Sequence, residues 1–176
     1  RITIISSKKN IGTYAAKNFV LKNFCNSDLV ALHDADDYSE PTRFEKQVMI
    51  LQHPDQVCVG TAIREFWEDD VNPHTKCSGE IKGNERQNFY PQKITRSDLE
   101  PVLSYLENES LYANYLKFKF CMNGSVMFDA DFLKGIGGWD GRTRVAADTD
   151  IFIRTLAEND IHNIQECLYN RRFHKD

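Results

Sequence analysis

Asp34, Asp36 and Asp37 fall within four consecutive positions of the stretch HDADDYSEP, directly after an apolar run and directly before a proline. Three carboxylates at that spacing repel one another and raise each other's proton affinity unless a cation or hydrogen-bond donors sit among them. Hard oxygen ligands in an i, i+2 arrangement suit Mg²⁺ or Mn²⁺ shared with the phosphates of a substrate. A solvated acidic turn, with one aspartate capping the following helix, accounts for the same residues without a ligand. A calcium loop of the EF-hand type does not, because Ser39 stands where that loop needs glycine and Pro41 interrupts it.

A second acidic pair, Asp148 and Asp150, opens the pattern ADTDIFIRTLAEN, which reads as a helix over 147–159. At about 100° per residue the two carboxylates point to nearly opposite sides, so at most one can face a crevice. Asp148 is nearer the helix N-terminus, where the dipole keeps a carboxylate ionised and able to accept a proton; an acid that merely stabilises the helix is the alternative. GIGGWDG, residues 135–141, puts four glycines around Trp139. Such a stretch lets backbone approach a ligand closely and lets an indole offer a flat face to a sugar, or it makes a tight connection with the indole in the core. His174 lies beyond the last apolar run and His33 beside the acidic cluster; His33 should point away from the cluster if its strand alternates.

The elements that must position these groups follow from the pattern. ITIIS (2–6), DLVALH (28–33), VCVGTAIREFW (57–67), FCMNGSVMF (120–128) and NIQECLYNRRF (163–173) read as strands. TYAAKNFVLKNFC reads as a helix with Tyr14, Phe19, Val20 and Phe24 on one face. Pro41 opens another helix, lined by Phe44, Val48 and Leu51 and running to about His53. Ser97 and Glu100 form a capping-box pattern ahead of PVLSYLENE, and DADFLKGI suits a short helix. The polar stretch from Glu68 to Gln92 reads as a surface excursion. Alternating strands and helices imply an α/β layered, mostly parallel sheet flanked by helices, with its ligand crevice at the strands' carboxyl ends.

Composition bounds the function classes. With 176 residues, 41% of them hydrophobic and 27% charged, one domain spanning 1–176 is expected. A net charge of −4 with scattered Lys and Arg offers no basic field for nucleic acid. Five Cys, at 25, 58, 77, 121 and 167, form no C-x-x-C pair, so no disulfide framework or thiolate zinc site is suggested and a cytoplasmic setting fits. No apolar stretch approaches the roughly 18 residues of a transmembrane segment. Neither a P-loop, a dinucleotide fingerprint nor a nucleophile elbow occurs.

Four segments in order resemble glycosyltransferase family 2, of GT-A fold. NIGTYAAKN (10–18) is similar to that family's N-x-G-x-x-x-A-R-N segment, with Lys17 in place of arginine. LVALHDADDYSEPTRFEKQV resembles its strand, D-x-D motif and following helix. GGWDGRTRVAADTDIFIRTL resembles its G-G-[FW]-D turn and E-D helix, and LYNRRFH its late basic and histidine segment.

The resemblance implies an inverting enzyme that moves a sugar from a nucleotide-activated donor, commonly a UDP sugar, to a hydroxyl of a saccharide or glycoconjugate acceptor. Asp34, Asp36 and His174 would then hold Mn²⁺ or Mg²⁺, and Asp148 would be the general base. Lys17, Asn10 and Asp37 would attend the donor, and Gly138, Trp139 and Asp140 would lie against donor sugar and acceptor. Ala147 departs from the family's glutamate before the base. The family's opening strand, helix and second strand, with their nucleoside-binding segments, have no counterpart, so the chain is expected to be an N-terminally truncated domain. A non-catalytic carbohydrate or nucleotide binding module is the alternative; a nucleotidyltransferase would need a glycine-rich phosphate loop that is not here.

Overall fold

The computed structural model describes residues 2–67, 81–82, 85–99, 120–142 and 147–173. In chain order the elements are α1 (Thr13–Phe24), β1 (Leu29–Ala31), β2 (Tyr38–Ser39), α2 (Arg43–Leu51), β3 (Cys58–Trp67), β4 (Ile81–Lys82), β5 (Glu85–Asn88), β6 (Lys93–Ile94), β7 (Met127–Asp129), α3 (Ala130–Gly135), α4 (Ala147–Glu158) and β8 (Ile161–Phe173). The expected helix at PVLSYLENE, much of the excursion after Glu68, and His174 lie outside the described residues.

One sheet gathers all eight strands. β8 runs parallel to β3 from Val59 to Trp67, which leaves the opposite edge of β3 to β7 at its start and β5 at its end. β2 and β6 add to β8, and β1 adds to β7. The α/β class stands, but the sheet is mixed: among the described residues only the β3–β8 ladder is parallel, and the other six pairings are antiparallel. A parallel pair needs a long crossover, in which α4 lies ahead of β8, whereas β4 and β5 follow one another in the chain and pair antiparallel.

Residues 2–6 correct a second expectation. They form no strand, and Ile2 and Ile4 are 91% and 87% exposed. No described strand lies alongside them, and β-branched composition alone makes no ladder.

The helices bury faces that apolar spacing does not mark. α1 turns Tyr14, Asn18, Leu21 and Cys25 inward, while Phe19, Val20 and Phe24 are exposed. α2 buries Arg43 and Gln47, one turn apart, and leaves Phe44 48% exposed. The Arg43 guanidinium donates to Gln47 Oε1 (3.0 Å), Ser39 Oγ (2.8 Å), Leu32 O (2.9 Å) and Gly124 O (3.1 Å). Gln47 Nε2 donates to Val59 O (2.9 Å) and Ser125 O (2.8 Å). Burial lowers the guanidinium's pKa to about 10, so it stays charged at neutral pH.

Shorter elements are closed by their caps. Asp129 accepts from Phe132 N (2.7 Å) and starts α3. The helical turn beginning at Arg96 is capped by Thr95, whose N and Oγ1 both meet Asp98 Oδ2 at 2.8 Å. Ser97 lies inside this turn, and Glu100, the other half of the expected box, lies outside the described residues. The apolar core, around Cys58, Val126, Phe128, Leu133, Ile151 and Ile161, fixes α3 and α4 against the strands.

Gln47→Leu keeps the volume and strands two carbonyls and one guanidinium N–H. Urea unfolding should show a loss of about 2–4 kcal/mol, with the midpoint lowered and the slope unchanged; an unaltered midpoint would show that α2 does not depend on this bridge.

Candidate functional site

The acidic loop leaves β1 at Leu32 and returns through β2, whose pairing with Tyr169 and Asn170 presses it against β8. Tyr169, fully buried, donates from its hydroxyl to Asp37 Oδ2 (2.5 Å) and accepts from Asp34 N (3.2 Å). Asp37 Oδ1 accepts from Arg172 N (2.8 Å). Both oxygens of Asp37, expected at the donor, thus serve β8, which makes it the brace of the loop. Burial and the bond to Asp37 push the Tyr169 hydroxyl upward, so it remains a donor at working pH.

A 3₁₀ turn, Asn123–Ser125, closes on this loop from the other side. A Cβ on Gly124 would lie 2.8 Å from Asp34 Oδ2 and 2.7 Å from Tyr169 Cζ, so only glycine fits there. His33, beside the cluster as its strand ends, uses Nδ1 on Asp34 O (2.6 Å) and sets its ring edge-on to Tyr169.

Between this loop and the start of α1 lies a cleft of about 740 Å³, lined by Asn10, Tyr14, Lys17, Asp34, Asn123 and Arg142 among others. Asn10 is on the wall, but its Oδ1 already accepts from Gly12 N (2.9 Å) and shapes the entry to α1, where Gly12 has φ 83°. Lys17 places its ammonium 5.6 Å from the Trp139 ring and 6.0 Å from that of Tyr14. Burial lowers its pKa, while the charges of Asp34 and of Asp148 both act to raise it. One cation therefore lies within the field of both carboxylates that the sequence singles out.

The glycine turn sits otherwise than expected. Trp139 is 3% exposed and edge-on to Phe128, so its ring belongs to the core behind Lys17 and is no open platform for a sugar. Asn18 grips its backbone, donating to Trp139 O (2.5 Å) and accepting from Trp139 N (2.9 Å). Gly138, at φ 66°, packs so closely on Asn18 that a Cβ would overlap it. The turn reaches the cleft through Gly141 and Arg142 instead. Asp140 is engaged with Arg142, which donates from Nε (2.9 Å), Nη2 (3.0 Å) and its backbone N (2.9 Å). These bonds lower the Asp140 pKa to about 2.

At α4 the two aspartates part as expected. Asp150 pairs with Arg154 at 2.6 Å, and Arg154 also donates to Gly138 O (2.6 Å) and Ile136 O (2.5 Å), tying the helix to the glycine turn. Asp148 faces the other way, on a small pocket beside Cys121 and Thr149. Burial raises the thiols of Cys58, Cys121 and Cys167, which keeps them protonated and poor nucleophiles. Cys25, Cys58, Cys121 and Cys167 are all free.

The model of glycosyl transferase family 2 matches residues 1–113. The chain belongs to glycosyl transferase family 2. It is 30% identical over 154 residues, 85% of its length, to the O-antigen biosynthesis glycosyltransferase WbnJ of Escherichia coli. It is 40% identical over 68 residues, 38% of its length, to the amylovoran biosynthesis glycosyltransferase AmsE of Erwinia amylovora. The chain spans 49% of the first and 25% of the second, so it matches a quarter to about half of these relatives. Residues 1–349 of S. aureus TarS superpose on 94% of this chain, and 42% of that one, with a TM-score of 0.62 at 13% identity. Its complexes with UDP and with UDP-GlcNAc give 0.57 and 0.55. The GT-A fold expected from the sequence is the fold found.

Within this family 2 domain, sequence patterns brought out Asp34, Asp36, Asp148, Lys17 and Asn10, and of these Lys17, Asn10 and Asp34 share the large cleft. Tyr169, Asn18, Asn123, Arg142 and Arg154 went unmarked, though each lies in or beside a quoted motif. The Asp140–Arg142 pair has a direct readout. Carboxyl NMR should find Asp140 near 2, and Arg142→Ala should return it toward 3.8. Because the folded value is the lower one, the pair's support for the turn is present above 3.8 and fades as pH falls through about 2. A value near 3.8 in the unaltered protein would show that the pair does not form in solution.

Proposed function

We propose that the chain carries the donor cleft and catalytic base of an inverting glycosyltransferase that uses a nucleotide diphosphate sugar, UDP-linked, in the synthesis of a surface polysaccharide. The observation that carries this reading is the placement of Lys17 in the joint field of Asp34 and Asp148 beside a cleft large enough for a nucleotide sugar. The relatives' names refer to O-antigen and amylovoran biosynthesis, and TarS has been seen with UDP and UDP-GlcNAc. The alternative of a binding module without catalysis differs by predicting binding and no transfer.

A divalent ion fits the residues present. Mg²⁺ and Mn²⁺ are commonly held by one or two carboxylates together with substrate phosphates. The loop supplies Asp34 and Asp36 for that role while Asp37 is spent on β8. His174, outside the described residues, and the donor's own oxygens would add to these two carboxylates. When bound there, Mn²⁺ or Mg²⁺ supplies Lewis-acid neutralisation of the departing diphosphate.

The protein's own groups do the rest. Lys17 and Arg142, both on the cleft wall, receive the negative charge that builds on the diphosphate as the glycosidic bond breaks. Asp148 takes the proton of the acceptor hydroxyl, whose oxygen attacks the anomeric carbon on the face opposite the leaving group and so inverts it. Free thiols at four positions accord with a reducing, cytoplasmic setting, and no helix among the described residues is long and apolar enough to cross a membrane.

Calorimetric titration with UDP, with Mn²⁺ and again with a chelator, tests the donor site. Heat should appear only with the metal and vanish in Asp36→Ala; binding that ignores the chelator would remove the metal. Asp148→Asn should lower transfer by about 10²- to 10⁴-fold with UDP affinity unchanged. Full turnover in that variant would remove the base, and UDP binding with no transfer by any form would favour the binding module.

A further inference from the structure

Asp148 opens onto a pocket distinct from the donor cleft. It measures about 250 Å³, and besides Asp148 its wall includes Glu65, Asn88, Tyr90, Phe152 and Arg171. Glu65, Asn88 and Tyr90 lie in no quoted motif, and the glycine turn, where the sequence suggested acceptor contacts, contributes nothing described to it.

The polar side of the pocket is built and buried. Glu65, 4% exposed, pairs with Arg86, accepts from Asn88 Nδ2 (2.6 Å), and has Arg171 Nη1 at 3.5 Å from its other oxygen. A carboxylate only accepts, so the Asn88 amide nitrogen must face Glu65 and its carbonyl oxygen must face elsewhere. That oxygen, on a side chain as buried as Glu65, has no hydrogen-bond partner among the described residues. Buried carbonyls are seldom left so in a native protein, and a ligand hydroxyl is one way to satisfy them. Tyr90 and Phe152 give the wall apolar surface, although both rings are buried, Phe152 against Phe120 and Phe128.

We propose that this pocket holds the acceptor as a single neutral pyranose, with the reacting hydroxyl on Asp148 and other hydroxyls meeting Asn88 and Arg171. The proposal rests on the glycosyltransferase reading above and adds to it the acceptor's place and class. At about 250 Å³ the pocket is smaller than the roughly 300–1,000 Å³ of drug-sized sites, so it takes one ring and leaves any further sugars outside. Donors on Arg171 and acceptors on Asn88 and Asp148 match hydroxyls, which both give and receive. Glu65 pairs with both Arg86 and Arg171, so with Asp148 two carboxylates face two guanidiniums and the described wall has no excess positive charge to favour an anionic sugar.

Saturation-transfer NMR on the full chain, with Mg²⁺ and UDP present, tests this using the methyl glycosides of glucose, galactose, mannose and N-acetylglucosamine, and methyl glucuronide as the anionic control. At least one neutral glycoside should bind without displacing UDP, and the glucuronide should bind at least about tenfold more weakly, a difference of about 1.4 kcal/mol. Asn88→Leu and, at a half-exposed position, Arg171→Met should each weaken that glycoside by about tenfold and leave UDP affinity unchanged. Glycoside binding that both variants leave intact, that UDP abolishes, or that is equally strong for the glucuronide would overturn the proposal. UDP binding alone, with no glycoside bound, would overturn it while the donor site stands; a glycoside bound at Asn88 in a chain that never binds UDP would support the pocket and count against the transferase reading.

Discussion

A buried guanidinium with no carboxylate partner among the described residues is the constraint on which the rest of this domain depends. Taking a charge of that kind out of water costs several kcal/mol, and Arg43 recovers it through four hydrogen bonds and the face of the Tyr169 ring, 5.0 Å away. Two of its acceptors are backbone carbonyls: Leu32 O, where β1 gives way to the acidic loop, and Gly124 O, in the 3₁₀ turn opposite. Gln47 extends the same grip to β3 and Ser125. Helix α2 is therefore less a cover for the sheet than a clamp that fixes both sides of the loop carrying Asp34 and Asp36. The strain-free route of lining α2 with leucines would leave those carbonyls unpaired.

The same economy recurs across the cleft. Asn18 and Arg154 hold the glycine turn from two directions, one by its Trp139 backbone and one through Gly138 and Ile136. Polar side chains aimed at backbone, rather than apolar area alone, decide where the acidic loop, the turn and the head of α4 stand relative to one another. Apolar burial supplies the bulk of the driving force; these bonds supply the register.

That division explains what could be read from the sequence. The strand at 58–67, the short helix after Asp129 and the opposite facing of Asp148 and Asp150 were legible because each obeys a simple period or cap. Asp34 stood out because dense like charge is rare without a reason, and it lies on the wall of the large cleft. The buried faces of α1 and α2 were not, since Asn18, Arg43 and Gln47 look like solvent-facing residues until their backbone partners are known. Asp37 could not be told from its neighbours, because its role is set by Tyr169 and Arg172, more than 130 positions away. Trp139 allowed two readings, and only the position of Phe128 decides between them. The mixed sheet was hidden for the same reason: strand direction is a property of connections, and a run of β-branched residues says nothing of its neighbour.

Lys17 has one further consequence. Its ammonium is common to the field of Asp34 on the cleft side and of Asp148 on the pocket side. Whatever neutralises Asp34 withdraws one of the two charges that favour the ammonium and leaves it to Asp148 alone; a change at Asp148 is felt at Asp34 in the same way. The charge states of the acidic loop and of the head of α4 are thus linked through one side chain, with no movement of the backbone required.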